Sequence, residues 1–146
     1  FDYAQLPVRI TQPFTVPEEI YMVRLTHNGI RKEYFFSGSE ECPYRAAKTF
    51  PKAKLSWQLE DVASCNDLRT LTATVKNVSS VPAYFVRPEE KTLGYAVLAD
   101  DAFFTLLPGE EKQLRLAVKK RLGLFFPAPQ EAAQLRFTCL NDSENR

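Results

Sequence analysis

"DDAFFTLLPGEEKQLRLAVKK", residues 100–120, carries the reading of the fold. Leu114, Leu116 and Val118 alternate with polar residues, the period of two that marks a strand with one buried face. Before them, Pro108-Gly109 sets a fixed φ ahead of a residue that tolerates positive φ, as a type II turn requires. Ala102 to Leu107 reads as another strand. The stretch is therefore expected to be strand, turn, strand, closed as a β-hairpin.

The same alternation extends outward. In "KLSWQLE" Leu55, Trp57 and Leu59 share one side, which makes Trp57 an expected core residue. In "TLTATVKN" Leu71, Ala73 and Val75 alternate with threonines suited to a half-buried strand. "AYFVR", "GYAVLA", "AFFTLL" and "AQLRFTCL" complete a set of about seven strands between Lys54 and Leu140, spaced as in a β-sandwich. "NVSSVP", residues 77–82, reads as a connection between two of them. No segment of helical length sustains an i, i+3, i+4 apolar pattern, so the fold class is all-β.

Prolines and turns divide the chain. Pro7, Pro13 and Pro17 punctuate the start, and Asn28-Gly29 reads as a tight hairpin joining "YMVRLTH" to "IRKEYFF", with His27 exposed beside the turn. Residues 1–38 hold too few strands for an independent sandwich and are expected to close a preceding one or to add strands to the main one. Residues 39–53 read as a connector with a helical turn at "YRAAK". Residues 54–146 read as the sandwich domain. The chain opens at Phe1 with neither Met nor a charged-then-apolar leader, so it is expected to be a segment of a longer product.

Composition narrows the chemistry. Nineteen Lys and Arg against eighteen Asp and Glu leave no basic face for nucleic acid, and Lys119, Lys120 and Arg121 read as a solvated strand end. No apolar run is long enough for a membrane-spanning helix. Cys42, Cys65 and Cys139 lack metal-ligand spacing and His27 is the single histidine, so neither a metal nor a cofactor is expected. One disulfide or three thiols both fit. A nucleophile–base arrangement is also absent from the expectation, because one histidine in a turn cannot serve it.

The acidic pairs Glu18-Glu19, Glu40-Glu41, Glu89-Glu90 and Glu110-Glu111 are expected in turns or connectors as solvated residues. Asp100-Asp101 sits between two strands, where an Asp holds a corner through its backbone. The aromatic pairs at 84–85, 103–104 and 125–126 are expected to send one ring inward and one outward. Asn77-Val78-Ser79 and Asn141-Asp142-Ser143 match the glycosylation sequon.

The order of these pieces resembles the C-terminal immunoglobulin-like domain of glycoside hydrolase family 2, in its β-mannosidase, exo-β-glucosaminidase and endo-β-mannosidase branch. The residues that carry it are "TVKNVSSVPAYFVR", then Asp100-Asp101 with Phe103-Phe104, then Leu106-Leu107-Pro108-Gly109-Glu110. "HNGIRKEYFFSG" and "TFPKAKLSW" stand where the family closes one sandwich and opens the last. Departures are Asp100-Asp101 for an acidic-Asn pair, Tyr34-Phe35 for a Tyr-Trp pair, and Pro88 within a usual strand. The resemblance implies an immunoglobulin-like β-sandwich in a retaining exo-glycosidase whose catalytic glutamates lie on a TIM barrel outside this chain. It implies no catalytic residue and no cofactor here, and packing against the barrel and other immunoglobulin-like domains. A loop at the rim of an oligosaccharide site is implied too, with Tyr95, Asp100 and Asp101 as rim residues, and an extracytoplasmic location. The rival readings are a carbohydrate-binding module, which needs a row of exposed aromatics, and an immunoglobulin-like protein-interaction module.

Overall fold

A computed structural model describes residues 20–28, 30–37, 49–91, 94–120 and 134–142. The described residues form nine strands, and the chain divides into two compact units, Phe1–Lys48 and Thr49–Arg146.

In the first unit, β1 (Ile20–His27) pairs antiparallel with β2 (Ile30–Ser37). The register closes at His27↔Ile30, and Asn28 takes a φ of +49°, which the short polar side chain of Asn tolerates. The expected hairpin is there, with His27 exposed. On one face, Arg24 and Glu33 form an ion pair at 2.9 Å, opposite one another in register. The "YRAAK" turn and Cys42 lie outside the described residues.

The second unit is a β-sandwich. Its larger sheet has the order β3-β4-β8-β6, from β3 (Leu55–Cys65), β4 (Leu68–Asn77), β8 (Glu111–Lys120) and β6 (Tyr95–Ala99). The smaller sheet has the order β7-β5-β9, from β7 (Phe104–Leu106), β5 (Ala83–Glu90) and β9 (Leu135–Thr138). All seven strands expected from the sequence are present. Leu71, Ala73 and Val75 of β4 and Leu114, Leu116 and Val118 of β8 meet Ala83, Val86, Leu106 and Phe137 of the other sheet in one core. Each full burial of such an aliphatic side chain contributes about 1.5–3 kcal/mol.

The opening stretch is corrected in one respect: it is not a hairpin. β7 pairs with β5, and β8 pairs with β4 and β6, so the turn between them carries the chain from one sheet to the other. The turn itself is of the expected type. Gly109 has a φ of +78°, and Leu107 O accepts the Glu110 N–H at 3.0 Å. Type II turns splay their flanking strands instead of matching the twist of a ladder, and that suits an inter-sheet passage.

Trp57 also differs from expectation. It is on the inward side, 6.1 Å from Phe137 by ring centroids, yet it is 38% exposed. β3 is the outermost strand of its sheet and the facing sheet has three strands, so the indole overhangs the edge. A bulge between Asp61 and Ala63 inserts Val62, resets the alternation, and lets β3 run on to Cys65. The chain then turns back through Asn66 at a φ of +39°. The alternation alone ends the expected strand at Glu60.

Glu89 and Glu90 are corrected as well. They belong to β5, not to a connector, and Glu89 bonds Arg136 of β9 through Nε at 2.6 Å. Pro88 precedes them and pairs with Phe137 on one flank only, because β7 extends no further than Val86. A strand proline needs such an unpaired flank.

The start of the second unit is tied down earlier than residue 54. Ala53 is buried, donates its N–H to Asn141 O at 2.8 Å and bridges Asp142, while the Phe50 ring lies 4.8 Å from Tyr84.

Candidate functional site

Two buried asparagines organise the sandwich from the ends of its strands. Asn77, at 0% exposure, ends β4. Its Nδ2 donates to Val81 O (2.7 Å) and Leu106 O (2.9 Å), and its Oδ1 accepts from Ser79 N (3.0 Å) and Ser79 Oγ (2.6 Å). Its backbone accepts from Gly109 N and donates to Glu110 O, both at 3.0 Å. The strand "TVKN" and the turn "LLPGE", about 30 residues apart in sequence, are thus one structural unit. Asn141 does the same elsewhere, with Nδ2 donating to Pro51 O (2.8 Å) and Pro82 O (2.9 Å) and Oδ1 accepting from Tyr84 N (3.1 Å). Both are sequon residues, and both side-chain amides are committed inside the fold.

The corner that precedes β7 has hydrogen bonds of its own. Asp100 continues the β6–β8 ladder by one step: its N–H donates to Arg115 O and its Oδ1 accepts from Arg115 N, both at 3.1 Å. Asp101 is ion-paired with Lys112 of β8, whose Nζ lies 4.5 Å from the Phe104 ring centroid. Phe103 and Phe104 split as expected, Phe104 into the core and Phe103 outward at 58% exposure. The Arg87 guanidinium lies over the Phe103 ring, 5.8 Å from its centroid.

The backbone at this corner is unusual. Phe85 (φ +52°) and Phe103 (φ +62°) are bulky residues in the left-handed region, a conformation that costs about 1–2 kcal/mol for a side chain with a Cβ. The two meet at one seam, where the Phe103 N–H donates to Val86 O at 2.8 Å and the β5–β7 register shifts between Ala83 and Val86. Every other positive-φ position among the described residues is Gly or Asn.

The structure separates the three rim candidates. Asp100 and Asp101 are exposed at the corner. Tyr95 is 2% exposed at the start of β6 and belongs to the core. Arg87, Phe103 and Lys112 complete the corner and were not singled out from the sequence as partners, since 16 residues or more separate Arg87 from the others. Asp100 also borders a shallow concavity of about 610 Å³ on the outer face of the larger sheet, floored by Thr70, Thr72 and Ala117 and flanked by Val62 and Leu98.

Titration adds little reactive chemistry. The Arg69 guanidinium hydrogen-bonds Asp61 at 2.6 and 3.0 Å and holds its carboxyl below the usual range. Burial pushes the Cys139 thiol up to about 11, so it remains a neutral thiol near pH 7. Among the described residues, no group of three His, Cys, Asp or Glu side chains could hold a metal ion, and no helix is long and apolar enough to cross a membrane.

No family profile matches the sequence, and no curated relative matches it. Solved structures do. One is an exo-β-D-glucosaminidase, CsxA, studied with a glucosamine-configured castanospermine and an amino-australine analogue. It superposes with a TM-score of 0.55 at 18% identity, over 77% of this chain and 15% of that one. A second, the exo-chitosanase CsxA of Amycolatopsis orientalis in complex with PNP-β-D-glucosamine, gives the same values. What is shared is the fold. The chain spans about one seventh of the length of these proteins, and the β-sandwich class expected from the sequence stands.

Proposed function

We propose that this chain is the non-catalytic C-terminal β-sandwich region of a family 2 glycoside hydrolase, of β-mannosidase-like or exo-β-glucosaminidase-like type. Its role is to pack against the other domains of one polypeptide and to shape the entrance to their active site with the Asp100–Phe103 corner. The observation that carries this reading is the superposition over most of this chain and a small part of a large exo-glycosidase. The bonding of "TVKN" to "LLPGE" through Asn77 supports it, because those are the two segments on which the family resemblance rests.

An immunoglobulin-like topology is part of the proposal. The order β3-β4-β8-β6 follows A-B-E-D of a constant-type domain, with β5 and β9 pairing as C and F. β7, on the far side of β5, departs from that plan. Residues 1–38 are proposed to close an upstream sandwich, and the location to be extracytoplasmic. The carbohydrate-binding-module reading draws less support: Trp57 and Phe103, the exposed aromatics among the described residues of the second unit, do not line one sheet face.

The test is hydrolytic. The isolated chain should show no turnover of nitrophenyl β-mannoside or β-glucosaminide, while the product of the complete reading frame should cleave one of them. Turnover by the isolated chain would overturn the proposal, as would a complete reading frame that encodes no barrel domain.

A further inference from the structure

The fold asks for Gly or Asn at position 103 and receives Phe. A residue at φ +62° is strained by its own Cβ, and this one also leaves an apolar ring 58% exposed. Packing explains neither cost, since Phe104 is the ring that enters the core. Strain of this kind persists where the surrounding structure holds a residue for use. Here Asp100 is pinned to Arg115, and Phe103 N–H to Val86 O.

The neighbours of the ring define what it fits. Protein-docking patches are contiguous and apolar at their centre, with Lys, Asp and Glu depleted. Phe103 instead stands among charged hydrogen-bonding groups: Arg87 over the ring, and Asp100 and Asp101 just before it, with Lys112 on Asp101. An isolated apolar plane ringed by donors and acceptors matches a hexopyranose, which presents a face of C–H groups and a rim of hydroxyls. The charges are balanced in sign, two acids against two bases, so no net field selects an ammonium group.

We propose that Phe103 is a stacking platform for a neutral hexopyranose unit, with Arg87 and Asp101 bonding its hydroxyls. This rests on the reading of the corner as part of a substrate entrance and deepens it: it names the ring that meets the sugar and a neutral sugar as its ligand.

The test uses the full 146-residue chain, isotopically labelled and followed by amide NMR during titration with mannobiose, cellobiose and the β-1,4-linked glucosamine dimer. Expected are saturable millimolar shifts at Arg87, Asp101 and Phe103 with the neutral disaccharides, and no stronger ones with the amine. Phe103→Gly should weaken binding at least about tenfold. It should also melt no lower than the parent, because Gly relieves the positive φ. Arg87→Ala should weaken binding by a smaller factor.

No shift with any sugar would overturn the proposal, and so would shifts that survive Phe103→Gly. A fall in melting temperature in that variant would make the ring structural and overturn it too. Concentration-dependent self-association lost in Phe103→Gly, without a sugar response, would assign the ring to a protein contact instead. Failure here leaves the accessory-domain reading intact, whereas glycoside turnover by the isolated chain would sink that reading and not this one.

Discussion

Asn28-Gly29 and Pro108-Gly109 look alike on paper, each a two-residue turn with glycine second, yet they do opposite things. The first closes a ladder in which His27 faces Ile30. The second separates two strands into different sheets. The difference lies in the residue before glycine. Asn28 takes a positive φ, as hairpin turns of the primed types need. Proline cannot, because its ring fixes φ near −65°. A type II turn results, and the strands splay. What holds the splayed turn is remote in sequence: the side chain and backbone of Asn77.

Replacing that anchor should have the largest effect. Asn77→Ala leaves the buried Leu106 O and the Ser79 N–H without the Asn77 amide, and Val81 O with the Ser79 hydroxyl alone, and should destabilise the second unit by about 2–4 kcal/mol in urea unfolding. A loss below about 1 kcal/mol would mean that the Pro-Gly turn stands without its anchor, and the contrast between the turns would be local after all. Gly109→Ala comes next. A Cβ there meets nothing within 4 Å, so the whole cost is the φ of +78°, about 1–2 kcal/mol, and Gly109→Asn should recover part of it. Pro108→Asn, which writes the hairpin dipeptide into the inter-sheet turn, should cost about 0.5–1 kcal/mol through the unfolded chain. Stabilisation by this change would mean that turn type does not set the splay of the two strands.

The last effect is alkaline. The folded-state pKa of Cys139 is raised from an ordinary 9.0 to about 11 by burial, and burial raises that of Tyr84 too. The neutral forms are therefore favoured by folding. That stability is complete below the unfolded value of 9.0 and is lost as pH rises toward about 11. The urea midpoint should decline across that window, and Cys139→Ala should flatten the decline. A slope unchanged by the substitution would place the titrating group elsewhere.

The strands were legible because their alternation is local. Leu71, Ala73 and Val75, or Leu114, Leu116 and Val118, announce a buried face without help from the rest of the chain. The layer to which each strand belongs was not legible, since the pairing of β7 with β5 depends on a turn whose geometry splays its flanks. The run from Asp61 to Cys65 escaped because one inserted residue, Val62, cancels the period of two. At the corner, Asp100 and Asp101 could be found from their position between strands. Tyr95 shares the face of Val97 and Ala99, and that alternation points it to the core. Arg87 came to Phe103 only through the fold. Asn77 was visible as a letter in a sequon, but its six hydrogen bonds join residues up to 33 positions away.

That last feature sets a race in any cell that glycosylates nascent secreted chains. The transferase there acts on extended polypeptide, while "NVS" and "NDS" are still open. A glycan on Asn77 or Asn141 would replace one of the two amide hydrogens that the fold uses, at positions closed to solvent. Modified molecules could not complete the sandwich, and completed sandwiches could no longer be modified. Folding speed, not sequence, would decide the yield.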